Sequence, residues 1–148
     1  MSNHHILVIA NETVEGSALI DSVRFRANSR DAAVLVVAPA LNTRLRHYMS
    51  DSDRAYAAAE QRLEGCLARL RANGVQADGY VGDADPLRAI DDALSTFPAG
   101  EIVVGTHPEE RSNWLAHDLV RRARARFEMS IFHVVVDLAA HREYVVAA

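Results

Sequence analysis

Five short apolar runs, separated by longer segments with helical periodicity, constrain the fold of this 148-residue chain most strongly. Most of the runs are unbroken stretches of Val, Ile and Leu, which is typical of strands buried on both faces of a parallel sheet. The runs are Ile6–Ala10, Ala33–Ala38, Ala77–Val81, Glu101–Gly105 and Ile131–Val136. The third run is the weakest because Asp78 and Gly79 interrupt it, so we expect it at an edge of the sheet. The alternation predicts one doubly wound parallel α/β domain over residues 1–148.

The segments between the runs carry helix signals. Apolar residues recur every three to four positions, and the second segment ends at Asn73-Gly74, a common helix C-terminal signal. Asp85-Pro86 provides an N-cap and a proline at the first helical position. The predicted helices run from Val14 to about Asn28, from Asp53 to Arg71, from Asp85-Pro86 to Phe97, and from about Asn113 to Phe127.

Two segments do not follow this alternation. The polar stretch from Ala40 to Ser52 is either a plain surface loop or a lid over the ligand crevice. Residues 138–148 form a C-terminal tail, in which Tyr144-Val145-Val146 could add a strand or pack on a partner. Both alternatives stay open for each segment.

The composition excludes several kinds of chemistry. All 16 basic residues are arginine, so a lysine Schiff base and a P-loop lysine are absent. The single cysteine, Cys66, excludes an internal disulfide and a CxxC pair, and its apolar helix face indicates a buried, inert thiol. The net charge of −4 gives no electrostatic case for nucleic acid or a membrane as partner. The sequence shows neither a secretory signal nor a transmembrane-length run, so we expect a cytoplasmic protein.

The fourth apolar run ends in Gly105-Thr106-His107-Pro108, followed by a helical pattern. In α/β proteins such strand–loop–helix turns form the ligand crevice at the carboxyl ends of the strands. This turn, the preceding strand Glu101–Val104, and Gly82-Asp83-Ala84-Asp85-Pro86-Leu87-Arg88-Ala89-Ile90 together resemble the universal stress protein family. The last of these segments is similar to that family's Gly-x-Pro-x-x-x-Ile helix entry.

The resemblance spans residues 5 to 137 and implies a Rossmann-like fold of the adenine nucleotide alpha hydrolase type, with strand order 3-2-1-4-5. It places a crevice between strands one and four, and the implied ligand-binding residues are Ala10, Asn11, Ala38, Gly105, Thr106, His107, Arg111 and Ser112. It also implies that strand five, Ile131–Val136, is an edge through which two copies pair as a homodimer.

ATP-binding members of the family carry Gly-x2-Gly-x9-Gly-Ser/Thr from the end of strand four. Aligned without gaps, the first Gly is Gly105, the second is replaced by Pro108, and the last pair by Asp118-Leu119. Proline removes a backbone donor, and an aspartate brings negative charge to the phosphate position. In a shortened loop Ser112 would instead cap the helix. Asn11 stands where the family places an aspartate that contacts adenosine, and its amide can still hydrogen-bond a base or ribose.

Three functions follow. The first is a non-catalytic stress-response protein that binds a small ligand or an unidentified protein partner without the usual ATP mode, and with no cofactor. The second is a regulatory protein that binds ATP or AMP through a rearranged loop at residues 105–113, with Arg111 on the phosphate. The third is a small-molecule enzyme that uses His107, although a plain loop histidine is the simpler interpretation.

Two further groups have structural interpretations. His107, His117 and Asp118 lack the spacing of a zinc site. Arg121, Arg122, Arg124 and Arg126 complement a helix C-terminus, with Asp118–Arg122 as an i,i+4 pair, and are expected to form a solvated face and not a nucleic-acid surface.

Overall fold

The structure is a computed structural model that describes residues 5–10, 17–30, 32–40, 50–83, 85–106, 110–137 and 142–146. Strands and helices alternate along the chain up to the fifth strand, after which a sixth strand follows directly. The elements are β1 (His5–Ala10), α1 (Ser17–Arg30), β2 (Ala33–Pro39), α2 (Ser50–Ala72), β3 (Ala77–Gly82), α3 (Pro86–Thr96), β4 (Glu101–Thr106), α4 (Glu110–Arg126), β5 (Ser130–Asp137) and β6 (Arg142–Val146).

The strands form one sheet in the order β3-β2-β1-β4-β5-β6. The first five are parallel to one another, so the predicted doubly wound sheet and its order 3-2-1-4-5 are confirmed. The third run lies at an edge of the sheet, as predicted. Among the described residues, no helix is long and apolar enough to cross a membrane.

The expectation that strand five is an edge is wrong for the described chain. Strand β6, which lies within the C-terminal tail, pairs antiparallel with β5 from His133 opposite Val146 to Asp137 opposite Arg142. The tail therefore adds a strand, which was one of its two predicted alternatives. The Tyr-Val-Val stretch within β6 gave only a weak strand signal, because so short an apolar run next to a polar segment rarely identifies a strand.

The apolar strands are buried because helices cover both faces of the sheet. In β1, alternate residues point to opposite faces: Ile6 and Val8 pack in a core with α1 and α2, while Leu7 and Ile9 pack in a core with α3 and α4. Residues 6–10 and 102–104 are completely buried, so β1 and β4 form the centre of the molecule. This explains why their sequences are unbroken apolar runs.

Gly79 explains the interruption of the third run. A Cβ atom at this position would overlap the carbonyl oxygen of Val36 on the neighbouring strand and lie 2.5 Å from the Cδ1 atom of Leu63 on α2. Glycine is therefore required for α2 to pack closely on β3. The same residue that weakens the strand signal allows the helix to approach.

Local signals end and begin the helices as predicted. Gly74, just after α2, has a φ of +81°, which favours glycine. The Asp85 carboxylate caps α3 by accepting a hydrogen bond from the Leu87 amide at 3.1 Å, and Pro86 follows at the first helical position. Two helices begin earlier than predicted, α2 at Ser50 and α4 at Glu110.

Candidate functional site

The carboxyl ends of β1 and β4 form the candidate site. From β1 the chain passes to β2 on one side, and from β4 it passes to β5 on the other side, so the connections after the two strands diverge. Such a switch point opens a crevice at the carboxyl edge of a parallel sheet. Ala10, the last residue of β1, lies directly opposite Gly105 of β4.

Small residues lie at the strand ends that border this crevice. Ala10 and Ala38 are completely buried, and Gly105 is buried between them and β5. The methyl groups of Ala10 and Ala38 belong to the core with α1 and α2, so these positions bring no large side chain to the strand ends. The sheet can therefore bring its backbone close to a bound molecule.

The structure brings some of the predicted site residues together. Ala10, Ala38 and Gly105 lie at the ends of three neighbouring strands, and Thr106 ends β4 opposite Val135. Arg111 and Ser112 lie in the first turn of α4. Asn11, His107 and Pro108 lie outside the described residues, as do positions 41–49 of the predicted lid.

The start of α4 corrects the predicted geometry of the phosphate loop. The helix begins at Glu110, so Ser112 is inside it and does not precede it as a cap. Only residues 107–109 separate β4 from α4. The Gly-x2-Gly-x9-Gly-Ser/Thr motif extends over more than ten residues, so an ungapped alignment that starts at Gly105 places its later positions within α4.

Asp118 and Leu119, which the ungapped alignment places at the last glycine pair, both lie within α4. Asp118 lies in the middle of α4, where its carboxylate accepts a hydrogen bond from Arg121 at 2.6 Å. Leu119 is part of the core under α4. Neither residue is at a helix N-terminus, where backbone amides attract phosphate.

The basic end of α4 has internal partners. Arg122 lies 3.8 Å from Asp118, so the predicted i,i+4 pair is confirmed. Arg124 donates to the Ile131 carbonyl oxygen at 3.0 Å, and Arg126 binds Asp91 on α3 at 2.7 Å. Arg121 also contacts the Asp118 carboxylate, so each of the four guanidinium groups lies near an oxygen of the same chain. These contacts give the four arginines a structural role, as predicted.

Arg62 on α2 is a residue near the site that the sequence did not reveal. Its Nη2 atom donates to the Pro39 carbonyl oxygen at 2.8 Å, at the carboxyl end of β2. The next residue, Ala40, donates its amide to the Gly82 carbonyl oxygen of β3 at 3.2 Å. These bonds fix the end of β2 beside the crevice. In the sequence Arg62 is one of several arginines on a long helix, and only the contact distinguishes it.

Metal ligation and the thiol of Cys66 are two further candidate chemistries. Among the described residues, no three potential metal ligands form a group. Cys66 is completely buried, as predicted, and this burial raises the pKa of its thiol to about 12. The use of His107 in an enzyme stays a prediction.

Comparison with known proteins gives one consistent result. No protein-family model and no curated protein matches the chain. Among solved structures, the universal stress protein from Archaeoglobus fulgidus is 16% identical with a TM-score of 0.65, over 90% of this chain and 94% of that one. A universal stress protein from Archaeoglobus fulgidus in complex with dAMP is 18% identical with a TM-score of 0.64, over 90% of this chain and 98% of that one. A universal stress protein in complex with cAMP is 16% identical with a TM-score of 0.62, over 90% and 97%.

These matches cover almost the whole of each chain and agree with the observed strand order and with the sequence motifs. At this level of identity they establish architecture. The chain has the universal stress protein fold.

Proposed function

We propose that this chain is a non-catalytic ligand-binding protein of the universal stress type, which acts in the stress response through its crevice. Its ligand is an adenosine nucleotide with one phosphate, in preference to ATP. The observation that carries the proposal is the pairing of Ala10 with Gly105 at the switch point, where two small residues lie at the carboxyl ends of β1 and β4.

The short connection between β4 and α4 supports a single phosphate. Three residues and one helix N-terminus provide few backbone amides, enough for one anionic group. Arg111 in the first turn of α4 adds a cation, while Glu110 beside it adds a negative charge. A triphosphate would need additional donors, and Pro108 within this connection lacks a backbone N–H.

The comparison structures support the ligand class. Two of them are complexes with dAMP and with cAMP, both adenosine nucleotides that carry one phosphate. They share the fold of this chain over nine-tenths of its length. We therefore expect the base and ribose to lie between the ends of β1 and β4, and the phosphate to lie near the start of α4.

The test is the shift in thermal unfolding with AMP, dAMP, cAMP and Mg-ATP, with GMP as the control for the base. A ligand at 100 times its Kd stabilises the folded state by about 2.7 kcal/mol, a shift of several degrees for a domain of this size. We expect saturable shifts with the adenosine monophosphates that exceed those with GMP and Mg-ATP. A larger shift with Mg-ATP would contradict the single-phosphate preference. No shift with any adenosine nucleotide would contradict the proposal and direct the search to protein partners.

Two variants locate the site. Gly105→Val places a branched side chain at the end of β4, beside the expected position of the base, and is expected to abolish the AMP shift. Its control is Gly65→Ala, since a Cβ at Gly65 on α2 meets nothing within 4 Å. Arg111→Gln is expected to weaken AMP more than adenosine, which lacks the phosphate. Its control, Arg121→Gln, removes an exposed arginine further along the same helix and should leave both ligands unchanged.

A further inference from the structure

Strand β6 occupies the position that a second copy of the chain would need to extend the sheet. On one edge β5 pairs with β4, and on the other it pairs antiparallel with β6 over five residues. The chain itself thus shows that the outer edge of β5 accepts an antiparallel strand. An antiparallel arrangement is also what a two-fold axis produces when two identical strands pair.

The residues of β6 resemble those of a second β5. If two β5 strands paired about a two-fold axis at Val134, His133 would face Val135 of the second copy, and Val134 would face its counterpart. In the structure Val146 lies opposite His133 and Val145 opposite Val134. The third position carries an aromatic ring in both arrangements, with Tyr144 opposite Val135 in the structure. Three consecutive positions of β6 therefore carry two valines and an aromatic ring, as a second β5 would. The match ends at the fourth position, where Glu143 lies opposite Val136 and a second β5 would place Phe132.

The other end of β6 differs from β5 in charge. Arg142 lies opposite Asp137 in the strand register, whereas the second copy would place Ile131 there. Oppositely charged residues directly across an antiparallel pair stabilise it. This end of β6 therefore favours pairing within the chain over pairing between chains.

We propose that β6 is an internal cover that competes with a second copy of this chain for the edge of β5. While β6 is paired the protein is a monomer, and displacement of β6 produces a dimer joined through β5. Only residues 138–141 link the two strands. A linker this short holds β6 at a local concentration in the millimolar range, far above the micromolar concentration of a partner.

The first test measures mass by light scattering at 100 µM protein. The wild-type chain is expected to be a monomer. In the variant Tyr144→Pro/Val145→Pro, two adjacent residues of β6 lose their backbone N–H groups. Because successive N–H groups in a strand point to opposite edges, at least one of the two lost donors belongs to the ladder with β5. We expect this variant to be a dimer. The control, Ala147→Pro/Ala148→Pro, places the same two prolines just after β6 and should remain a monomer.

Addition of a synthetic peptide of residues 140–148 is expected to return the proline variant to a monomer, since the peptide can occupy the edge of β5. A wild-type dimer at micromolar concentration would overturn the proposal. So would a folded proline variant that stays monomeric, or a dimer that the peptide does not dissociate.

A second variant retains every backbone donor and so protects the test against failure to fold. Arg142→Asp places like charges opposite each other and is expected to raise the dimer fraction at least severalfold over wild type. The exchanged pair Asp137→Arg/Arg142→Asp restores opposite charges and should restore the monomer. If hydrogen exchange shows that β6 opens in Arg142→Asp while the mass stays that of a monomer, the proposal is wrong.

Discussion

The guanidinium of Arg26 on α1 lies over the ring of Phe132 on β5, with its Cζ atom 3.8 Å from the ring centroid. Its Nε atom is 3.8 Å from a carboxylate oxygen of Glu101 on β4. Both charged side chains are less than one-fifth exposed. One arginine therefore joins a helix to two neighbouring strands at the end of the sheet opposite the crevice.

We expect Arg26→Met to lower the free energy of unfolding by about 1 kcal/mol, because a partly desolvated cation–π contact contributes roughly 0.5–2 kcal/mol. The control is Arg24→Met on the same helix, where the arginine is 45% exposed and its ion pair contributes little. Urea denaturation of Arg26→Met, Phe132→Leu and the double variant gives the coupling energy. Simple additivity of the two changes would contradict a direct interaction.

Two glycines in or beside α2 should respond in opposite directions to alanine. Gly79→Ala forces a Cβ against Val36 and Leu63, and we expect a loss of about 1–3 kcal/mol from overpacking. Gly65→Ala adds a methyl group to an open helix surface and should increase stability by up to about 1 kcal/mol. The measurement is the urea midpoint at constant m value. A Gly79→Ala protein as stable as the wild type would show that α2 does not approach β3 this closely.

The cap of α3 gives a local prediction. Asp85→Ala removes the carboxylate that accepts from the Leu87 amide, and the expected loss is about 1 kcal/mol. Asp92→Ala, at an exposed position of the same helix, should change stability by less than about 0.5 kcal/mol. The difference in unfolding temperature between the two variants measures the cap. Equal effects would mean that general charge, and not capping, determines the loss.

Cys66 should be unreactive in the folded protein. Because burial raises the pKa of its thiol from 9.0 to about 12, iodoacetamide at pH 8.5 should label it only after unfolding in urea. The thiol binds its proton more tightly when folded, so its contribution to stability is fully present below pH 9 and is lost as the pH rises towards 12. The fall in stability over this range should be smaller in Cys66→Ala. Rapid labelling of the native protein would contradict the burial of Cys66.

The sequence predicted the parallel sheet because buried strands such as Ile6–Ala10 have a distinctive unbroken apolar pattern. The caps at Gly74 and Asp85 were also predictable from local sequence. Glycine after a helix favours a positive φ, and aspartate before a helix accepts a hydrogen bond from a free backbone N–H. The start of α4 was predicted about three residues late. Glu110-Arg111-Ser112 is polar on every side, so apolar periodicity gives no signal until the helix reaches the core.

The sequence predicted those positions of the candidate site that follow from the strand topology. It did not predict those that depend on long-range side-chain contacts. Ala10, Ala38 and Gly105 end apolar runs, and parallel topology brings such ends to one edge. The contact between Arg62 and the end of β2 joins two residues that are 23 positions apart in the sequence, and no local pattern encodes it. A strand in the tail was predicted only as one of two alternatives for a related reason, because a short tail strand is defined by the edge that it pairs with.

The central position of β1 has a consequence for synthesis. Its neighbour β4 begins opposite Ile6 at Glu101, so the pair closes a loop of about 95 residues. When residue 82 has been made, α1 and α2 can already cover one face, but Leu7, Ile9 and Val37 still need residues 87–131 to cover the other. At about 5–20 residues per second this exposure lasts roughly 2–10 s. The nascent half-sheet therefore presents an apolar face during translation, which is when this chain most needs a chaperone.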